Sequence, residues 1–202
     1  IPHIFERAEK YHPHKEIVTA TGAGLERTTY GEWAARTRKL GGVLDSLGIS
    51  ADGRVGTFAW NTARHLELYF AAPCTGRVLH TLNIRLFPEQ LTYIVNHADD
   101  EVIFVDRSLL GLLAPLLPTF ERLKHLVLMD DGKGDIPADL AGHVLLDYEE
   151  LLAAAEPVEF HVDDEHRAAS MCYTSGTTGN PKGVVYTHRS TFLHTMGAMT
   201  AD

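Results

Sequence analysis

Short, nearly continuous apolar runs recur along the chain at 54–60 (RVGTFAW), 78–82 (VLHTL), 101–106 (EVIFVD) and 125–130 (HLVLMD). Between them the apolar positions change to a helical spacing, in TARHLELYFAA, in PEQLTYIVNHA and in LLGLLAPLL. Asn61 is the expected cap of the first of these helices, Pro88 opens the second at its first position, and Pro115 breaks the third. Strands that are apolar throughout, rather than on alternate residues, are buried on both faces. Their alternation with helices predicts an α/β fold: a mainly parallel sheet flanked by helices on both faces.

The ends of the chain follow other patterns. IFERAEKY reads as a short amphipathic helix, and KEIVTA and LERTTY flank TGAG as an N-terminal hairpin. Thr29-Tyr30-Gly31-Glu32 matches a capping box, and the helix behind it carries Trp33, Leu40, Val43, Leu44 and Leu47 and ends at Gly48. Past residue 130 lie a polar connector (131–143), a short helix (147–155), a buried strand ASMCY (169–173), a strand GVVYT (183–187) and a helix capped by Thr187. The sheet is expected to be complete near residue 130. That divides the chain into a first α/β subdomain at 1–160 and, at 161–202, a hairpin and helix that begin a second.

Composition narrows the partners. The chain has 202 residues, 45% hydrophobic and 22% charged, with a net charge of −9 and no basic stripe, which argues against a nucleic-acid groove. Two cysteines give no disulfide framework, so a reducing cytoplasm is expected. The longest apolar run, LLGLLAPLLPTF at 109–120, is too short for a membrane span and reads as a kinked core helix.

One stretch is unlike the rest: YTSGTTGNPKG, from Tyr173 to Gly183. It gathers the hydroxyls of Thr174, Ser175, Thr177 and Thr178, the glycines 176, 179 and 183, and Lys182. Glycines let backbone N–H groups close on an anion, hydroxyls donate to phosphate oxygens, and a lysine offsets charge developing on a leaving group. A polar surface turn has the same residue types. A Walker A loop is excluded, because Pro181 and Gly183 flank the lysine and a strand follows where a helix would have to.

The run YTSGTTGNPKGVVYTHRS resembles the phosphate loop of the adenylate-forming superfamily of acyl-CoA synthetases, luciferases and peptide-synthetase adenylation domains. The likeness extends upstream through TYGEW and through NTARHLELYFAAPCTGRVLHTLNIRLFPEQLTYIVNHADDEVIFVD, with its Leu82-Asn83-x-Arg85-Leu86 element. RHLELYFAAPCTGRVLHTLNIRL is most similar to medium- and long-chain fatty-acyl-CoA synthetases. The resemblance implies a two-step reaction, in which a fatty acid attacks the α-phosphate of ATP and coenzyme A then takes the acyl group. It maps Thr174, Ser175, Gly176, Thr177, Thr178, Gly179 and Lys182 onto phosphate-binding positions, with Lys182 catalytic and Thr174 facing Mg2+. It further implies an acyl pocket, an adenine site, a ribose-binding acid and a mobile C-terminal domain with its own catalytic lysine. Residues for these would lie beyond Asp202, so the chain is expected to be an N-terminal portion that does not complete the reaction alone. Other readings are an adenylating ligase for an aryl or short-chain acid, and a non-catalytic nucleotide-binding fragment. A homodimer would be unsurprising.

The remaining features have plainer readings. TGAG lacks the third glycine and the helix of a dinucleotide fingerprint. The histidine pairs 12/14, 161/166 and 188/194 have no metal-ligand spacing, Cys172 reads as core filler, DGKGD as a connector and Asp163-Asp164-Glu165 as a solvated acidic turn.

Overall fold

A computed structural model describes residues 1–21, 24–174 and 179–200. Helix α1 (Pro2–Tyr11) leads to β1 (Glu16–Thr21) and β2 (Gly24–Thr29), which pair antiparallel from Glu16↔Thr29 to Thr21↔Gly24. The expected hairpin forms, although Gly22 and Ala23 at its turn lie outside the described residues. Helix α2 (Tyr30–Ser46) starts at the predicted capping box. Thr29 Oγ1 accepts from the Glu32 N–H at 3.2 Å, and Glu32 Oε2 accepts from the Thr29 N–H at 2.8 Å. The exit from α2 needs a φ of +65° at residue 48, which glycine supplies without strain.

The alternating core follows: β3 (Arg54–Phe58), α3 (Ala63–Cys74), β4 (Val78–Thr81), α4 (Pro88–Ala98), β5 (Asp100–Asp106), α5 (Arg107–Leu113), a 3-10 turn at Ala114–Thr119, and β6 (His125–Met129). Thr62, rather than Asn61, caps α3: its backbone is extended and its hydroxyl accepts from the His65 N–H at 3.3 Å. Beyond β6 come β7 (Leu145–Asp147), α6 (Tyr148–Ala154), β8 (Ala168–Thr174), β9 (Lys182–Thr187) and α7 (His188–Thr200).

Among the described residues a single seven-stranded sheet runs in the order β7-β6-β5-β3-β4-β8-β9, and every pairing is parallel except β8 with β9. The sheet is thus not complete at residue 130. β7 extends one edge and β8–β9 the other. The apolar pattern hid β7 because it is only three half-buried residues behind a polar connector. On one face α2 and α3 bury Leu40, Leu44 and Leu68 against Val55, Val102 and Phe104. On the other, α4 and α5 bury Ile94, Val95 and Leu110 against Phe58, Ile103 and Val105. Each such side chain contributes about 1.5–3 kcal/mol by leaving water.

At the β7 edge the cover is tied by charge. Arg36 of α2 meets Glu67 of α3 at 2.6 Å and Glu149 of α6 at 2.9 Å, and Arg64 meets Glu149 at 2.9 Å. The Tyr148 hydroxyl donates to Glu67 Oε2 at 2.5 Å. Burial raises the Glu67 carboxyl while Arg36 opposes the shift. At the C-terminal ends of the central strands, buried Asp106 accepts from the Trp60 N–H at 2.6 Å, and burial pushes its carboxyl up to about 6.

Candidate functional site

The sequence places Thr174 and Lys182 eight positions apart; the β8–β9 hairpin brings them together. The register runs Met171↔Val185, Cys172↔Val184, Tyr173↔Gly183 and Thr174↔Lys182, so Thr174 and Lys182 form the last rung before the connecting loop. Side chains directly opposite in an antiparallel pair stand about 4.5–5.5 Å apart at Cβ and share a face. Both residues are exposed. Gly179 has a φ of +97°, a conformation closed to most side chains. Ser175, Gly176, Thr177 and Thr178 lie outside the described residues.

Tyr173 and Gly183 occupy the rung below and, by strand alternation, the opposite face. A Cβ at position 183 would stand 3.2 Å from Tyr173 Cζ, so the glycine of Pro-Lys-Gly makes room for the ring. The Tyr173 hydroxyl and His97 Nδ1 are hydrogen-bonded at 2.6 Å, and His97 in turn stacks on Tyr93 with centroids 5.2 Å apart. Burial first, then the nearby Asp100 charge, pushes the Tyr173 phenol up to about 12, so it keeps its proton near neutrality.

Beneath that ring lies a buried polar pair. His80 of β4, fully buried, has its ring 5.3 Å from the Tyr173 ring. Its Nδ1 lies 2.8 Å from both carboxylate oxygens of Asp100, also fully buried, at the start of β5. The two strands are not neighbours, since β3 runs between them. Gly56 of β3 pairs with His80, and a Cβ there would lie 3.3 Å from Asp100 Oδ2 and 3.0 Å from Ile103 Cγ1. Burial raises the Asp100 carboxyl and His80 opposes it. His80 Nε2 has no hydrogen-bond partner among the described residues.

Sequence reasoning passed over His80, Asp100 and His97. One signal was present: a histidine in the middle of the apolar run VLHTL must find a buried partner. Cys172 is not core filler. It is half-buried, and with Trp60, His65, Tyr69 and Asn83 it lines a cleft of about 500 Å³ at the C-terminal ends of β3, β4 and β8. Thr187 caps α7 as expected, its hydroxyl accepting from the Ser190 N–H at 3.0 Å. The helix buries His188, whose imidazole is pushed down to about 4 by burial.

The donor set indicates which cations can sit here. Thr174 offers one neutral oxygen, and among the described residues no three His, Cys, Asp or Glu side chains gather into a metal site. The site therefore fits Mg2+ only in company with phosphate oxygens, which is how that ion commonly binds nucleotides.

The AMP-binding enzyme family matches residues 5–201. A 3-methylmercaptopropionyl-CoA ligase from Ruegeria lacuscaerulensis is 46% identical over 204 residues, a match taking in 100% of this chain and 38% of that protein. A medium-chain-fatty-acid–CoA ligase from Ectopseudomonas oleovorans is 41% identical across 98% of the chain and 36% of its own length. A long-chain-fatty-acid–CoA ligase from Thermus thermophilus is 43% identical across 98% and 35% respectively. The chain thus spans little more than a third of the curated relatives it matches. The structure of the anthranilate CoA ligase AuaEII with anthranoyl-AMP shares the fold, with a TM-score of 0.80 at 23% identity over 93% of this chain and 34% of that one. On a match that runs over nearly its whole length, the chain belongs to the AMP-binding enzyme family.

Proposed function

We propose that the chain carries the ATP phosphate grip of an acyl-CoA ligase acting on a fatty acid. The observation that carries this is the Thr174↔Lys182 rung at the root of a loop of glycines and hydroxyls. A carboxylate oxygen attacks the α-phosphorus of ATP, the bond to the β-phosphate oxygen breaks, and acyl-AMP and pyrophosphate form. The sulfur of coenzyme A then attacks the acyl carbon, AMP departs, and the thiol proton passes to solvent or base. Lys182 offsets charge on the departing pyrophosphate. Thr174, Ser175, Thr177 and Thr178 donate hydroxyls to its oxygens, while Gly176 and Gly179 let the backbone approach. When bound with the nucleotide, Mg2+ supplies further neutralisation of phosphate charge, and Thr174 is the residue to contact it. Residues 1–160 are the first subdomain of this machinery, and 161–202, whose β8 and β9 extend the same sheet, lead into the second.

A second substrate reading comes from the 46% and 44% identical relatives, both ligases for 3-methylmercaptopropionate, a short thioether acid. A protein of the relatives' length carrying this chain, given ATP, coenzyme A and a panel of fatty, thioether and aryl acids, tests both. Pyrophosphate release dependent on medium- or long-chain acids supports the first reading, and dependence on the thioether acid supports the second. No release with any acid overturns the ligase reading. The 202-residue chain by itself is expected to form no acyl-AMP in single turnover.

A further inference from the structure

Residues 172–174 run beyond the ladder that ties β8 to the parallel sheet. β4 and β8 pair only at Leu79↔Ser170 and His80↔Met171, whereas β8 and β9 stay paired out to Thr174↔Lys182. The tip of the hairpin therefore projects from the sheet with its two chains bound to each other but with no backbone ladder to β4. The Tyr173 side chain supplies the missing hold. Its hydroxyl reaches His97 on α4 at 2.6 Å, its ring packs against the ring of buried His80 on β4 at 5.3 Å, and it lies against Gly183 on β9. Three separate elements thus converge on the residue that precedes Thr174.

We propose that Tyr173 is a positioning residue that fixes the aim of Thr174 and Lys182, and that His97 holds it there. The proposal rests on reading 174–182 as a phosphate grip. Without the hydroxyl contact the tip swings about the β8 ladder, and a ligand must then supply the cost of ordering it.

The test is calorimetric titration of a protein of the relatives' length carrying this chain with ATP and with inorganic tripolyphosphate, which lacks adenosine, alongside the melting temperature of each variant. Lys182→Ala is expected to weaken both probes. His97→Ala is expected to weaken both by about three- to tenfold, the size of one net hydrogen bond. His97→Gln restores binding, because its amide can donate or accept. In a Tyr173→Phe background His97→Ala adds nothing more. Melting temperatures of the His97 and Lys182 variants stay near wild type, since both residues are exposed. If Lys182→Ala weakens binding while His97→Ala and Tyr173→Phe leave it intact, the positioning role is wrong and the phosphate reading stands. Affinities that fall only in step with melting temperature make the contact purely structural and overturn the role. If the wild-type protein binds neither probe, or Lys182→Ala changes nothing, the phosphate reading fails and takes the positioning role with it.

Discussion

The two edges of the sheet are finished in opposite ways. At one, β7 is three residues long and is followed by α6, whose Tyr148 and Glu149 join a network with Arg36, Arg64 and Glu67. At the other, β9 is six residues long with Lys182, Gly183, Val185 and Tyr186 exposed, and α7 leaves Phe192, Leu193, Met196 and Met199 in solvent. Polar groups at the first edge have their partners within the chain. At the second, Lys182 makes no ion pair among the described residues. A charge already matched has little left to offer a ligand. One edge serves the fold and the other is open to chemistry.

That contrast can be broken from either side. The largest effect is expected from Glu67→Ala, which strands Arg36 and the Tyr148 hydroxyl. Losing one partner of a buried pair commonly costs 3–5 kcal/mol, and about 3 is expected because Arg36 is 35% exposed and keeps Glu149. Urea denaturation reads it, and an unchanged midpoint would dismiss the sealing role. Lys182→Ala is expected to do the reverse. Stability should stay within about 0.5 kcal/mol, as for an exposed surface site, while adenylation in a protein of the relatives' length slows by about 10²–10³. Equal adenylation rates in mutant and wild type would remove Lys182 from the chemistry.

Asp106→Asn sharpens the comparison through pH. The folded state raises this carboxyl from its usual value near 3.8 to about 6, so folding takes up a proton. The stabilisation is full below pH 4 and is lost as pH rises through 6. Asparagine keeps an acceptor for the Trp60 N–H and has no charge to bury. It should stabilise the chain by about 1–3 kcal/mol at pH 8 and by much less at pH 4. A gain of equal size at both pH values would refute the buried-charge explanation. His188 works in the opposite direction, since an imidazole lowered to about 4 costs stability as pH falls below its ordinary value near 6.5. The smallest effect is expected from Thr29→Ala, about 1 kcal/mol for a lost helix cap, with both edges untouched. A melting temperature identical to wild type would count against the capping box.

Most of the central layer was legible because its signals are local. Thr29 and Glu32 are three residues apart, and RVGTFAW and EVIFVD are uninterrupted apolar runs. β8 was found as well, but its half-buried alternation shows a strand with cover on only part of its surface. The loop stood out because its residue types are rare in combination. What the sequence did not display were contacts between distant positions: His80 reaching Asp100 across Gly56, and Tyr173 reaching His97. These pairs lie 20 and 76 residues apart. They depend on which strands become neighbours, and no periodicity within either segment records that. Thr62 takes the cap from Asn61 for the opposite reason: both are good caps, and only the backbone angles choose between them.

The antiparallel rung also imposes a parity on the hairpin. Faces alternate with every residue, so a one-residue slip of β9 against β8 would turn Lys182 toward Tyr173 and set Val184 against the His97 side. A two-residue slip would restore the faces but move the lysine by about 7 Å, the rise of two strand residues. A length change that spares this parity must therefore fall between Thr174 and Lys182, in the stretch that the proposed phosphate grip itself occupies. Gly183, which no larger residue can replace without moving Tyr173, marks the point on β9 at which that count is read.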